Sequence, residues 1–90
     1  MGASNKAPAN FTSTDIPGSN LPTSKTIEFF FAHSNTNKNE LIVIKKYQSE
    51  EEWRNESLNI KKVQHGPNIV KFIDQIDEGN ERKFLLTKYL

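Results

Sequence analysis

The sequence predicts an α+β domain, an antiparallel β-sheet with one packed helix, preceded by a disordered N-terminal tail. Three observations predict it. Residues 1–25 are dominated by Ser, Thr, Asn, Pro, Gly and Ala. From Thr26 onward, short β-branched and aromatic runs alternate with turn residues, which reads as strands. Between them lies one segment, Glu50 to Val63, with a capped start and helical periodicity.

In the tail the apolar residues stand singly, at Phe11, Ile16 and Leu21. Such spacing buries too little surface to offset the entropy of ordering the chain. The division expected is therefore a tail over 1–25 and a domain over 26–90. The domain opens with Ile27, Phe29, Phe30 and Phe31, a strand candidate. The turn-rich Ser34-Asn35-Thr36-Asn37-Lys38-Asn39 follows, and a second strand over Glu40 to Tyr47 completes a β-hairpin.

Ser49 with Glu52 three residues later forms a capping box, and Glu50, Glu51 and Glu52 place negative charge at the positive end of the helix that follows. At 3.6 residues per turn, Trp53, Glu56, Ser57, Ile60, Val63 and Gln64 share one face, which is the face expected to turn inward. Leu58 falls on the opposite side, and the pattern does not explain it. His65-Gly66-Pro67-Asn68 ends the helix, since glycine supplies a left-handed cap and proline cannot continue. Ile69 to Ile76 reads as a strand, Asp77 to Glu81 as a turn, and Arg82 to Leu90 as the antiparallel partner.

Composition narrows the function classes. Twelve basic and eleven acidic residues leave a net charge of +1, no footprint for nucleic acid or an anionic bilayer. No apolar run approaches the roughly 20 residues of a membrane helix, and the mean hydropathy is −0.69. The absence of cysteine excludes disulfides and thiolate chemistry, and no secretory leader opens the chain, so an intracellular (cytoplasmic or nuclear) setting is expected. Met1-Gly2-Ala3-Ser4-Asn5-Lys6 departs from an acylation signal, which needs Ser or Thr where Lys6 stands. A chain of 90 residues buries only about 60% of its unfolded surface, so the core is marginal.

Chemistry enters with the strand Leu41-Ile42-Val43-Ile44-Lys45-Lys46-Tyr47. Alternation places Leu41, Val43, Lys45 and Tyr47 on one side. A charge held among aliphatic neighbours is costly unless paired, and Glu56 on the inward helix face is an available partner. From pattern alone, a strand lysine reaching water and a solvated helix acid is the commoner arrangement, because both residue types are usually exposed. Asp74 and Asp77 lie three apart at a strand end and its turn, where acids are ordinarily solvated, and no metal ligand set is assigned.

The order of these elements resembles the ATP-facing half of a eukaryotic protein kinase small lobe. Ile42-Val43-Ile44-Lys45 is similar to the third-strand motif V-A-I-K, whose lysine contacts the ATP phosphates and pairs with a glutamate of helix C. Counting back nine residues from His65, where the family's H-P-N-I begins, lands on Glu56, the position of that glutamate. The Gly66-Pro67-Asn68-Ile69-Val70 segment looks most like the G-G-P-N-I of casein kinase II and its relatives, and Val43 at the usual alanine position leans the same way. Phe84-Leu85-Leu86-Thr87-Lys88-Tyr89-Leu90 resembles the fifth strand and the start of the hinge. The resemblance implies that Thr87 is the gatekeeper, that the backbone of Lys88 and Leu90 faces the adenine edge, and that Val43, Lys45 and Glu56 belong to the ATP site. It is strong from Leu41 onward and weaker over 27–40.

The chain also departs from that family. The segment expected to cover the phosphates, roughly Thr23 to Phe30, contains no glycine, and Gly18 is the nearest. Phosphoryl transfer needs H-R-D-x-x-x-x-N and D-F-G, and neither stands in these 90 residues. Magnesium is not expected to bind without the lobe that carries them. The expectation is thus a truncated Ser/Thr-type kinase small lobe with a partial ATP site, unable to transfer phosphate alone. A second expectation, of another class, is a non-catalytic pseudokinase-type module that binds a protein through the face a large lobe would cover. An unrelated small α+β domain with coincident motifs is the third.

Overall fold

The apolar runs from Phe29 to the end of the chain pair as the hairpin signals require. In the computed structural model, which describes residues 6–16, 18, 21, 24–62, 71–79 and 82–89, the elements are β1 (Phe11–Thr14), β2 (Ile27–Ser34), β3 (Leu41–Tyr47), α1 (Glu50–Lys62), β4 (Phe72–Asp77) and β5 (Lys83–Lys88). All strand pairs are antiparallel, in the order β1-β2-β3-β5-β4. The fold is α+β, one sheet with one packed helix.

The β2–β3 turn is built from side chains that fold back on the backbone. Ser34 Oγ accepts from the Thr36 amide at 3.2 Å, and Asn37 Oδ1 accepts from the Asn39 amide at 3.3 Å. β2 runs three residues beyond the expected Phe31, because Ala32 and His33 are paired on both sides, to β3 and to β1, and Ser34 is paired to β1. The β4–β5 turn closes on Gly79, whose φ of 109° a side chain would oppose, and Asp77 Oδ1 accepts from its amide at 2.9 Å.

α1 starts as its capping signal predicts: Ser49 Oγ accepts from the Glu52 amide at 3.3 Å. Trp53 and Ser57 are buried, Glu56 and Ile60 half-buried, and Leu58 is half exposed on the far side. Trp53 anchors the helix, its Nε1 donating to the Phe84 carbonyl at 2.9 Å while its ring packs with Tyr47 and Leu85. The helix lies over β3, β5 and β4 and leaves β2 uncovered on that side.

The other side of the sheet is also buried. Phe30, Ala32, Ile42, Ile44, Phe84 and Leu86 form one cluster there with Ala7. The expected tail over 1–25 differs in part: the described residues 6–14 lie against the sheet or pair with it. Residues 6–10 cross this side as a strap, with Ala7 and Pro8 buried. The Ala9 amide donates to Glu78 Oε2 at 2.8 Å, and Lys6 Nζ lies 3.1 Å from Glu28 Oε2. Asn10, at φ 75°, turns the strap into β1, a conformation asparagine tolerates better than most residues. β1 carries one apolar side chain, too few for sequence periodicity to register. It is held instead by pairing Phe11–Thr14 with Ser34–Phe31, an edge that would otherwise lie bare.

Candidate functional site

Alternation along β3 and periodicity along α1 bring Lys45 and Glu56 to the same space, as expected. Lys45 Nζ lies 3.5 Å from Glu56 Oε1, with side-chain exposures of 23% and 43%. The ammonium also sits 5.7 Å from the centroid of the Phe29 ring, its cross-strand neighbour on β2. An ion pair this open to water is worth roughly 1 kcal/mol or less. It orients the lysine more than it stabilises the fold.

Of the other expected site residues, Val43 and Thr87 are register partners across β3 and β5. Thr87 is buried, with Oγ1 donating to the Val43 carbonyl at 3.4 Å. Lys88 is exposed at the strand end, and its amide donates to the Lys71 carbonyl at 2.9 Å. Leu90 lies outside the described residues, as do His65 to Val70 and the helix-face positions Val63 and Gln64. Tyr89 is exposed and packs edge-on to Phe31, with centroids 5.1 Å apart.

Lys45, Val43, Thr87 and Tyr89 therefore share the α1 side of the sheet, a half-site in which Tyr89 is exposed, Lys45 and Val43 are half-buried and Thr87 is buried. A cleft lies beside it. About 400 Å³ in volume, it runs between Thr14, Asp15, Ile16 and Leu21 on one side and Phe29 and Phe31 on the other. The β1–β2 connection spans residues 15–26, so the segment expected to cover the phosphates is displaced toward the N-terminus, and 27–30 are strand. That connection holds a single glycine, Gly18, at φ 81° with open space about it.

The turn acids are engaged locally. Lys83 pairs with Asp77 and with Glu50, tying the helix start to the β4–β5 turn, and lies 5.5 Å over the Trp53 ring. The Lys83 hydrogen bond, helped by the Gly79 amide, holds the Asp77 carboxyl below its usual range, and Asp77 in turn raises Lys83. Asp74 Oδ1 accepts from the Gln75 amide at 2.8 Å. Among the described residues no three His, Asp or Glu side chains gather as a metal site requires, and no helix is long and apolar enough to cross a membrane.

One polar group here was not singled out by the motifs. Tyr47, two residues beyond Lys45 on the same side of β3, is fully buried beneath α1, and its hydroxyl has no hydrogen-bond partner among the described residues. Burial foremost, then the charges of Glu56 and Glu52, push the phenol well above its ordinary range. No protein-family model matches this chain, and no significant match exists among characterised proteins or solved structures.

Proposed function

We propose that this chain is a protein kinase-like small lobe whose open sheet face is a partial nucleotide site, with Lys45 receiving a phosphate and Glu56 holding Lys45 in place. The observation that carries this reading is the 3.5 Å pair between the third strand and the helix that follows it. Kinases use a strand lysine and a helix glutamate in that relation to fix the lysine at the phosphates of ATP. Val43 and Thr87 on the same face, with the hinge-like Lys88 and Leu90 beyond them, would border the adenine. Binding is expected to be weak, because a ligand site ordinarily buries most of its ligand and this one has a single wall. Transfer is not assigned to these residues, since nothing in the chain supplies the base or the magnesium ligands.

Thermal denaturation of the chain with and without ATP and magnesium tests the reading. A nucleotide-dependent rise in Tm that disappears in Lys45→Ala is expected, and no rise in the unsubstituted chain would overturn it. The purified chain is expected to transfer no phosphate to a generic protein substrate.

A second reading, a pseudokinase-type protein-binding module, is favoured by the exposed Tyr89 standing against Phe31 on the uncovered part of the sheet. It predicts calorimetrically measurable binding to an intact Ser/Thr kinase domain, lost in Tyr89→Asp.

A further inference from the structure

A buried hydroxyl without a partner costs on the order of 1–3 kcal/mol relative to one that is bonded, so native cores seldom keep one. Tyr47 is such a group: its side chain is completely covered and its Oη bonds to none of the described residues. Trp53 packs on Tyr47, and Glu56 follows it about one helical turn later on the same helix face. Only one of the two Glu56 carboxylate oxygens is engaged, Oε1, by Lys45. Oε2 accepts no hydrogen bond from any described residue. The Tyr47 donor and the Glu56 acceptor thus both belong to the layer between β3 and α1, on the side of β3 where Lys45 Nζ lies 3.5 Å from Glu56. The Glu56 carboxylate is near enough to raise the cost of ionising the phenol both through its charge and as a side-chain acceptor, although no bond of acceptable geometry is made.

We propose that Tyr47 is a positioning residue for Glu56: its O–H donates to Glu56 Oε2 and holds the carboxylate over β3 when Lys45 is drawn away by a phosphate. The inference rests on the Lys45–Glu56 reading above and adds a third member to it. With Lys45 half-buried and its partner 43% exposed, the pair alone leaves the glutamate free to swing into water. A phenol anchored on the sheet removes that freedom, and because it is neutral it does not compete for the phosphate. The last torsion of the Glu56 side chain is broad, so its carboxylate turns at little cost.

A double-mutant cycle on the full chain decides it, read as thermal and denaturant stability of the unsubstituted protein, Tyr47→Phe, Glu56→Leu and the double variant. If the hydroxyl serves Glu56, Tyr47→Phe lowers Tm when Glu56 is present and raises it when position 56 is apolar, with a coupling of about tenfold in the folding equilibrium constant. If Tyr47→Phe raises Tm equally in both backgrounds, the hydroxyl has no partner and the proposal is overturned. Glu56→Ala carries the same cycle should Glu56→Leu fail to fold. The functional readout is an ATP–magnesium titration, in which Tyr47→Phe weakens binding about three- to tenfold in the Glu56 background and not in the Glu56→Ala background. Equal weakening in both backgrounds marks a general packing defect and also overturns it. Should the unsubstituted chain bind no nucleotide, the nucleotide reading falls while the stability cycle still decides the role of Tyr47.

Discussion

The two faces of the sheet are closed by different means. On one, a thirteen-residue helix drives an indole between Tyr47 and Leu85 and bonds it to a strand carbonyl. On the other, Ala7 and Pro8 lie across Phe30, Ile42, Ile44, Phe84 and Leu86, held at their ends by one amide–carboxylate bond and one surface ion pair. The first closure brings its own hydrogen-bonded backbone and a large side chain. The second is a few residues of extended chain. The helix face should therefore carry the stability, and the strap face should be the first to open.

The largest effect expected is that of Trp53→Ala. Loss of a buried indole costs about 3–5 kcal/mol, and the Phe84 carbonyl loses its donor as well. A 90-residue domain has a total stability of only about 5–13 kcal/mol, so the variant should lose much of its cooperative transition by circular dichroism. Deleting residues 1–10 should cost less, on the order of 2 kcal/mol, because the strap buries small side chains. The sheet should survive while an apolar-surface dye binds the bared Ile42, Ile44 and Leu86. A deletion more damaging than Trp53→Ala would reverse the ranking of the two faces.

The same comparison accounts for what was legible in the sequence. The helix face was, because its information is local: the Ser49–Glu52 cap, the spacing of Trp53, Ser57 and Ile60, and the alternation that puts Lys45 and Tyr47 on one side all act within a few residues. For the Lys45–Glu56 pair, local pattern made Glu56 an available partner while favouring solvated side chains, and it was the kinase resemblance that implied the pairing. The strap was not, because Ala7 and Pro8 have no periodicity and their burial depends on Glu78, 69 residues from Ala9. A signal for a second cover was nonetheless present. Phe29-Phe30-Phe31, Ile42-Val43-Ile44 and Phe84-Leu85-Leu86 are uninterrupted apolar runs, and a strand open to water on one side alternates instead. From Lys83 to Thr87 every residue of β5 is buried. That the buried Tyr47 hydroxyl meets no acceptor among the described residues was beyond sequence reasoning, since it turns on side-chain torsions that no pattern encodes.

The smallest effect expected separates the faces by pH. The Ala9 amide foremost, then Arg82, holds the Glu78 carboxyl below its usual range. A carboxylate whose folded value is depressed adds stability that is fully present above its unfolded value and is lost as pH falls through the folded one. Asp77, depressed by Lys83 and Gly79, obeys the same sign, but its partners tie the helix start to the turn instead of the strap. Acidification from pH 6 to pH 3 should thus weaken both closures, and Glu78→Gln should remove only the strap's share. The measurement is dye binding and Tm across that range. Glu78→Gln should already bind more dye than the unsubstituted chain at pH 6 and change less on acidification, while its helix signal stays intact. An acid response unchanged by Glu78→Gln would mean that the strap is held by its apolar contacts and the Lys6–Glu28 pair, and the amide–carboxylate bond would then be a consequence of the closure and not a cause.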